Sequence, residues 1–195
     1  MSKKILMIAG PNGAGKTTMT LDLLASGPDL DEFINADEIA KGLAPKNPES
    51  MALTASKLMI SRLKELLEQD KSFAFETPAA GKNYLNHLKV AKSKDYEILL
   101  VFLWLESPLQ AIKRVAQRVK QGGHHIPEDV IFRRYYAGLS NLLTHYLPLA
   151  DMATIVNNSL ENSTRNVVAR KSKDGNIEIT NKDIWKKINE TAYER

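Results

Sequence analysis

Gly10-Pro11-Asn12-Gly13-Ala14-Gly15-Lys16-Thr17-Thr18 decides how the rest of this chain is read. It fits G-x-x-x-x-G-K-[ST], a glycine-rich turn that leads straight into a helix. Glycine reaches backbone conformations closed to other residues. The N–H groups of Gly10, Asn12, Gly13, Ala14, Gly15, Lys16, Thr17 and Thr18 can therefore converge on one anion. Lys16 supplies a cation for the β- and γ-phosphates, and the Thr17 hydroxyl suits a magnesium ion. The helix that follows adds the positive end of its dipole. The flanks agree with this reading. Lys3 to Ala9 is an apolar run of strand length, while Met19, Leu23 and Leu24 follow helical spacing until Gly27-Pro28 stops the helix. The stretch predicts a phosphate loop that binds a nucleoside triphosphate.

The whole chain sets bounds on what that loop serves. Its 195 residues suit one domain, residues 1–195, with length enough for a sizeable core. The 27 basic against 23 acidic residues give a net charge of +4, too mild to require nucleic acid or a membrane surface. There is no cysteine, which excludes disulfides, thiolate metal sites and cysteine nucleophiles. The apolar run after Lys3-Lys4 is too short for a signal-peptide core, and no stretch is long and apolar enough to span a bilayer. A cytoplasmic protein is expected.

Strand-like runs alternate with helical patterns, which predicts an α/β fold: a five-stranded, mostly parallel sheet flanked by helices. The strands are the run before the loop, Glu32 to Ala36, Ser72 to Thr77, Tyr96 to Leu105, and Met152 to Val156. The fourth is almost wholly apolar, as expected for a strand buried on both faces. Asn47-Pro48 and Ser107-Pro108 read as helix starts, and Leu109, Ile112, Val115, Ala116 and Val119 form the apolar side of the second of these helices. Gly122-Gly123-His124-His125 interrupts it before a new start at Pro127-Glu128-Asp129. Val167 to Arg170 and Ile177 to Thr180, about Asp174-Gly175, predict a C-terminal β-hairpin.

Ligands of open α/β sheets bind beyond the carboxyl ends of the strands. Asp37, Glu76 and Glu106 each follow such an end. Asp37 is suited to accept the proton of a hydroxyl that attacks the γ-phosphate, or simply to cap the helical turn after it. Glu76 is suited to a substrate hydroxyl or a magnesium-bound water. Glu106 precedes a helix cap and reads as solvated. Arg114 and Arg118 lie four apart on one helix, and Arg133 and Arg134 follow the glycine break. Together they resemble a lid able to stabilise charge on a transferring phosphoryl group, with one member of each pair solvated. His124-His125 has no neighbouring carboxylates or cysteines in sequence and makes a poor metal site.

The loop is similar to that of ABC-type transporter ATPases, but neither a Leu-Ser-Gly-Gly-Gln signature nor a downstream strand ending in Asp-Glu is present. The ordered set Gly10 to Thr18, Phe33 to Ala40, Phe75-Glu76-Thr77, Arg114 to Val119, Gly122 to Pro127 and Arg133-Arg134-Tyr135 resembles the zeta-toxin family of P-loop kinases, in its compact branch. That family phosphorylates a hydroxyl of UDP-N-acetylglucosamine using ATP and magnesium. The resemblance implies a phosphate role for Lys16, general-base work for Asp37, phosphate clamps at Arg118 and Arg134, and acceptor contacts at Asn35, Asp37, Glu76 and Thr77. It also implies a neutralising antitoxin, although no partner-binding stretch is identifiable. Because this chain is shorter than the larger toxins, the resemblance carries the kinase chemistry further than the sugar-nucleotide acceptor. Two rivals remain at this point. One is a kinase for another acceptor, such as a nucleoside, a sugar or a nucleic-acid end. The other is a nucleotide-dependent switch that hydrolyses ATP and acts through a partner.

Overall fold

The computed structural model describes residues 3–26, 29–123, 125–160 and 166–193. The apolar run before the loop forms β1 (Lys4–Ala9), and the loop opens into α1 (Lys16–Ser26). Met19 is buried and Leu23 half-buried, but Leu24 faces outward; the expected stop at Gly27-Pro28 lies outside the described residues. The chain continues through β2 (Glu32–Ile34), α2 (Ala36–Leu43), a 3-10 turn at Pro48–Met51 and α3 (Ala52–Glu68). Next come β3 (Phe73–Thr77), α4 (Leu85–Ser93), β4 (Glu97–Trp104) and α5 (Pro108–Lys120). After the glycine break, α6 (Glu128–Asn141) passes through a π turn at Leu142–Tyr146 into the short α7 (Leu147–Leu149). The chain ends with β5 (Met152–Asn157), β6 (Asn166–Lys171), β7 (Ile177–Ile179) and α8 (Lys182–Tyr193).

Seven strands form one sheet in the order β2-β3-β1-β4-β5-β6-β7. The five expected strands are mutually parallel. The C-terminal hairpin is continuous with them, because β6 runs antiparallel along β5 and β7 along β6. A phosphate loop after the central strand β1 therefore has a parallel neighbour on either side. The register sets Ile8 beside Glu76 and Ala9 beside Thr77, so the acid of β3 stands next to the start of the loop.

The two faces of the sheet are unequally covered. One carries the main core, with Ile5, Met7, Phe73, Phe75, Ile98, Leu100 and Phe102 against Met59, Leu63 and Leu66 of α3 and Leu88 of α4. The other carries a small cluster of Leu6, Ile8 and Ala74, packed by Leu23, Leu30 and Phe33. The expectation that β4 is buried on both faces is corrected accordingly. Leu99 and Val101 are only half-buried, and both faces close only from Phe102 onward, near the loop. In α5 the buried side is Pro108, Ala111 and Val115, whereas Leu109 and Ala116 are exposed. Among the described residues, no helix is long and apolar enough to cross a membrane.

Candidate functional site

The loop is built from backbone conformations that need glycine. Gly10, Gly13 and Gly15 have φ of 140°, 76° and 81°. At Gly10 a β-carbon would lie 2.3 Å from the Leu103 carbonyl oxygen, so the loop can cross β4 only where there is no side chain. At Gly13 a β-carbon would lie 3.0 Å from the Ala111 carbonyl oxygen and 3.1 Å from the Arg114 β-carbon, which shows how closely α5 packs on the loop. Ala14 N–H donates to the Pro11 carbonyl at 3.2 Å and closes the turn.

Lys16 folds back over this turn, donating to the carbonyls of Gly10 at 2.9 Å and Pro11 at 3.0 Å. Burial of its ammonium pushes the pKa down to about 8, with Glu76 and Asp37 acting against the shift and Arg118 and Arg134 reinforcing it. All four charged side chains therefore lie within electrostatic reach of Lys16. Asn12 is buried, and its Oδ1 has no hydrogen-bond partner among the described residues. Thr18 is exposed on the first turn of α1.

Glu76 is the polar hub. Its carboxylate accepts from Thr20 Oγ1 at 2.8 Å, Thr17 Oγ1 at 3.1 Å and Asn35 Nδ2 at 3.0 Å. Burial raises its pKa, while the Thr20 and Thr17 hydroxyls and the charge of Lys16 hold the shift in check. Thr77, beside it, accepts from Ala79 N–H at 3.0 Å and shapes the turn after β3.

Asn35, rather than Asp37, caps the helix that follows β2. It stands at the N-cap of α2, where its Oδ1 accepts from Asp37 N–H at 2.8 Å. Asp37 lines a cavity. That cavity, about 470 Å³, is also lined by Asn12, Lys16, Glu76, Thr77 and Arg134.

The structure also separates the arginine pairs. Arg114 donates to the Asn158 carbonyl at 2.7 Å and the Ser159 carbonyl at 3.0 Å, so it holds the loop after β5. Arg118, one turn on, lines a second cavity with Asp37, and Gly122-Gly123 wraps round it, with Gly123 N–H donating to its carbonyl at 2.9 Å. Arg133 is exposed, whereas Arg134 lines the first cavity. Burial lowers the Arg134 pKa, an effect opposed by the charge of Asp37. Glu106 stays outside the site, exposed and 3.5 Å from Lys187. His124 lies outside the described residues; His125 Nδ1 is 3.6 Å from Glu49 Oε1.

Asn158 was missed by sequence reasoning. Its Nδ2 donates to the Ala14 carbonyl at 2.7 Å and its N–H to the Trp104 carbonyl at 2.9 Å, which ties the end of β5 to the phosphate loop. A signal existed. Asn157-Asn158-Ser159 is a polar cluster at a strand's carboxyl end, where Asp37 and Glu76 were sought. Also missed was the brace behind the cavity wall, where Asn141 Nδ2 donates to the Ala79 carbonyl at 2.9 Å and Tyr146 Oη to the Gly81 carbonyl at 2.5 Å.

Comparison with known proteins agrees with this architecture. A Haemophilus influenzae protein described as uncharacterized is 29% identical over 136 residues, covering 69% of this chain and 94% of its own length. Among solved structures, the AvrRxo1-ORF1:-ORF2 complex with ATP superposes with a TM-score of 0.78 at 17% identity, over 96% of this chain and 63% of that one. This chain thus spans under two thirds of that relative's length. The PezAT chromosomal toxin–antitoxin system of Streptococcus pneumoniae superposes with a TM-score of 0.59 at 15% identity, over 99% of this chain and 87% of that one. These likenesses are of fold, an α/β P-loop kinase fold. A family profile for an AAA domain matches residues 5–136, which take in every site residue from Gly10 to Arg134. More than half of the sequence lies inside that match, and the chain belongs to the AAA-domain family of P-loop proteins.

Proposed function

We propose that this protein is a magnesium- and ATP-dependent kinase of the zeta-toxin kind, a single cytoplasmic domain that transfers the γ-phosphoryl group to a hydroxyl of a small molecule. One observation carries the reading. Asp37, released from capping by Asn35, lines the same cavity as Lys16, Glu76 and Arg134, and that cavity of about 470 Å³ is large enough for an acceptor. A switch that only hydrolyses ATP needs a positioned water and no such room.

The loop amides and Lys16 hold the β- and γ-phosphates. Magnesium takes hard oxygen donors and keeps several waters, so the Thr17 hydroxyl beside the Glu76 carboxylate, 3.1 Å apart, fits it without a larger cage. Bound there, the ion would neutralise charge on the β- and γ-phosphate oxygens. Asp37 accepts the acceptor's hydroxyl proton as the new oxygen–phosphorus bond forms and the bond to the β-phosphate oxygen breaks, releasing ADP. Arg118 and Arg134 meet the charge that spreads over the transferring group. The zeta-toxin resemblance offers a UDP-linked amino sugar as one acceptor. The PezAT likeness supports a neutralising protein partner, and nucleic acid is not expected as one.

Arg118→Ala and Arg134→Ala are each expected to lower the transfer rate by about 10²–10³-fold, with little change in ATP affinity. Calorimetric titration of ATP beside steady-state kinetics reads both quantities. An unchanged rate would return the substituted arginine to solvent.

Lys16 gives the site a pH signature. Near pH 8 about half of the unliganded molecules hold a neutral Lys16. The triphosphate favours the charged form and raises that pKa, so ATP binding at pH 8 should take up about half a proton and weaken as pH rises further. Titrations in buffers of different ionisation enthalpy measure the uptake. Equal heats in all buffers would contradict it.

A further inference from the structure

We infer that the phosphate acceptor is an uncharged polyhydroxyl compound, a free sugar or a nucleoside, rather than one that already carries phosphate. This rests on the kinase reading above and concerns the cavity lining that lies outside the phosphate loop. There the lining comes from the start of α3, the loop after β3 and the 3-10 turn: Ala52, Ser56, Ala80, Asn83, Tyr84 and Glu49. These are small, neutral or acidic side chains. They offer hydroxyl and amide groups for a polyol and a carboxylate that repels an anion.

The cavity's two strong cations, Lys16 and Arg134, are the ones assigned above to the triphosphate and the transferring group. Lys16 lies on the loop's own carbonyls, and Arg134 lines the cavity within electrostatic reach of Asp37. A phosphorylated acceptor would bring its charge toward Asp37, Glu49 and Glu76, with no lysine or arginine among the other described lining residues to receive it. Lys41 and Lys46 line only an adjoining cavity of about 450 Å³, which meets the first at Asp37, Glu49 and His125. The 3.6 Å contact between Glu49 and His125 stands at that junction.

The wall is preformed, which gives it the means to discriminate by shape. Asn141 and Tyr146 hold the carbonyls of Ala79 and Gly81, and Ala79 keeps a φ of 56° in the turn. A β-carbon at Gly138 would lie 2.8 Å from the Pro78 carbonyl oxygen, so α6 packs directly on this loop. A rigid neutral wall costs little to organise around a ring of hydroxyls.

The test is phosphoryl transfer from magnesium-ATP to matched pairs: uridine against UMP, glucose against glucose 6-phosphate, and N-acetylglucosamine against UDP-N-acetylglucosamine. The uncharged member of at least one pair should be phosphorylated with kcat/KM about 10²-fold above its charged partner. The nucleoside and sugar arms tell the two sources of this chemistry apart. Glu49→Gln should narrow the preference about threefold to tenfold by removing like-charge repulsion. Equal or better use of the charged members overturns the proposal while leaving the kinase reading intact, and loss of that use in Lys41→Ala would assign their phosphate to the adjoining cavity. An unchanged preference in Glu49→Gln also counts against it. ATP consumption that depends on Lys16, with no phosphorylated product from any compound, defeats the kinase reading itself and this inference with it.

Discussion

Replacing Asp37 by asparagine is expected to lower phosphoryl transfer by ~10²–10⁴-fold while ATP binding and the melting temperature stay close to wild type. A hydroxyl is a poor nucleophile at neutral pH, and a positioned carboxylate contributes by taking its proton as the new bond forms. Asparagine keeps the size and removes the basicity. The fold should be indifferent, because the helix cap is the Asn35 side chain and Asp37 is an exposed residue that lines the cavity. What remains for stability is the loss of one acid from the first turn of α2, worth a few tenths of a kcal/mol and up to ~1 kcal/mol. Transfer rate and thermal melting, measured on the same preparations, decide the matter. A stable Asp37→Asn protein with full activity removes the general-base role. A destabilised one shows that the carboxylate supports the helix after all.

Lys16→Met should have an effect of similar size with a different signature. Loss of the cation facing the β- and γ-phosphates is expected to lower transfer by at least ~10²-fold, and here ATP affinity falls too, since the ammonium meets phosphate in the ground state as well. Stability should be unchanged or improved. The lysine's pKa is held at about 8, against 10.5 in the free side chain, so the folded protein carries this charge at a cost. Between those values the unfolded chain binds more protons than the folded one. The unliganded wild type therefore gains stability as pH rises across that window, and Lys16→Met should lose that slope. Melting curves at pH 7, 8, 9 and 10 test the sign. A variant that melts well below wild type at pH 7 would mean that the hydrogen bonds from Lys16 to Gly10 and Pro11 outweigh its desolvation.

The sequence by itself determined the parts of this protein that depend on local chemistry. Gly10 to Thr18 specified a strand, a turn and a helix because only glycine tolerates the φ values there and only an apolar run of that length makes β1. Alternating strand and helix patterns specified the parallel sheet, and Asp174-Gly175 specified the hairpin. Tertiary structure decided whatever depends on which chain segments meet. Arg114 and Arg118 share a helix and a charge, yet one bonds the carbonyls of Asn158 and Ser159 while the other lines a cavity with Asp37. No spacing along α5 distinguishes them, because the difference lies in the loop after β5, more than forty residues away. The sequence offered Asp37 as a cap, and the structure gives that place to Asn35, whose side chain accepts from the Asp37 N–H. The half-buried Leu99 and Val101 follow the same rule. An apolar run records that a strand is suited to burial, whereas the covering of each face depends on where the helices come to rest. Local residue types fix conformation and chemical capacity; long-range packing fixes neighbours, and with them the charge, burial and partner of each side chain in the site.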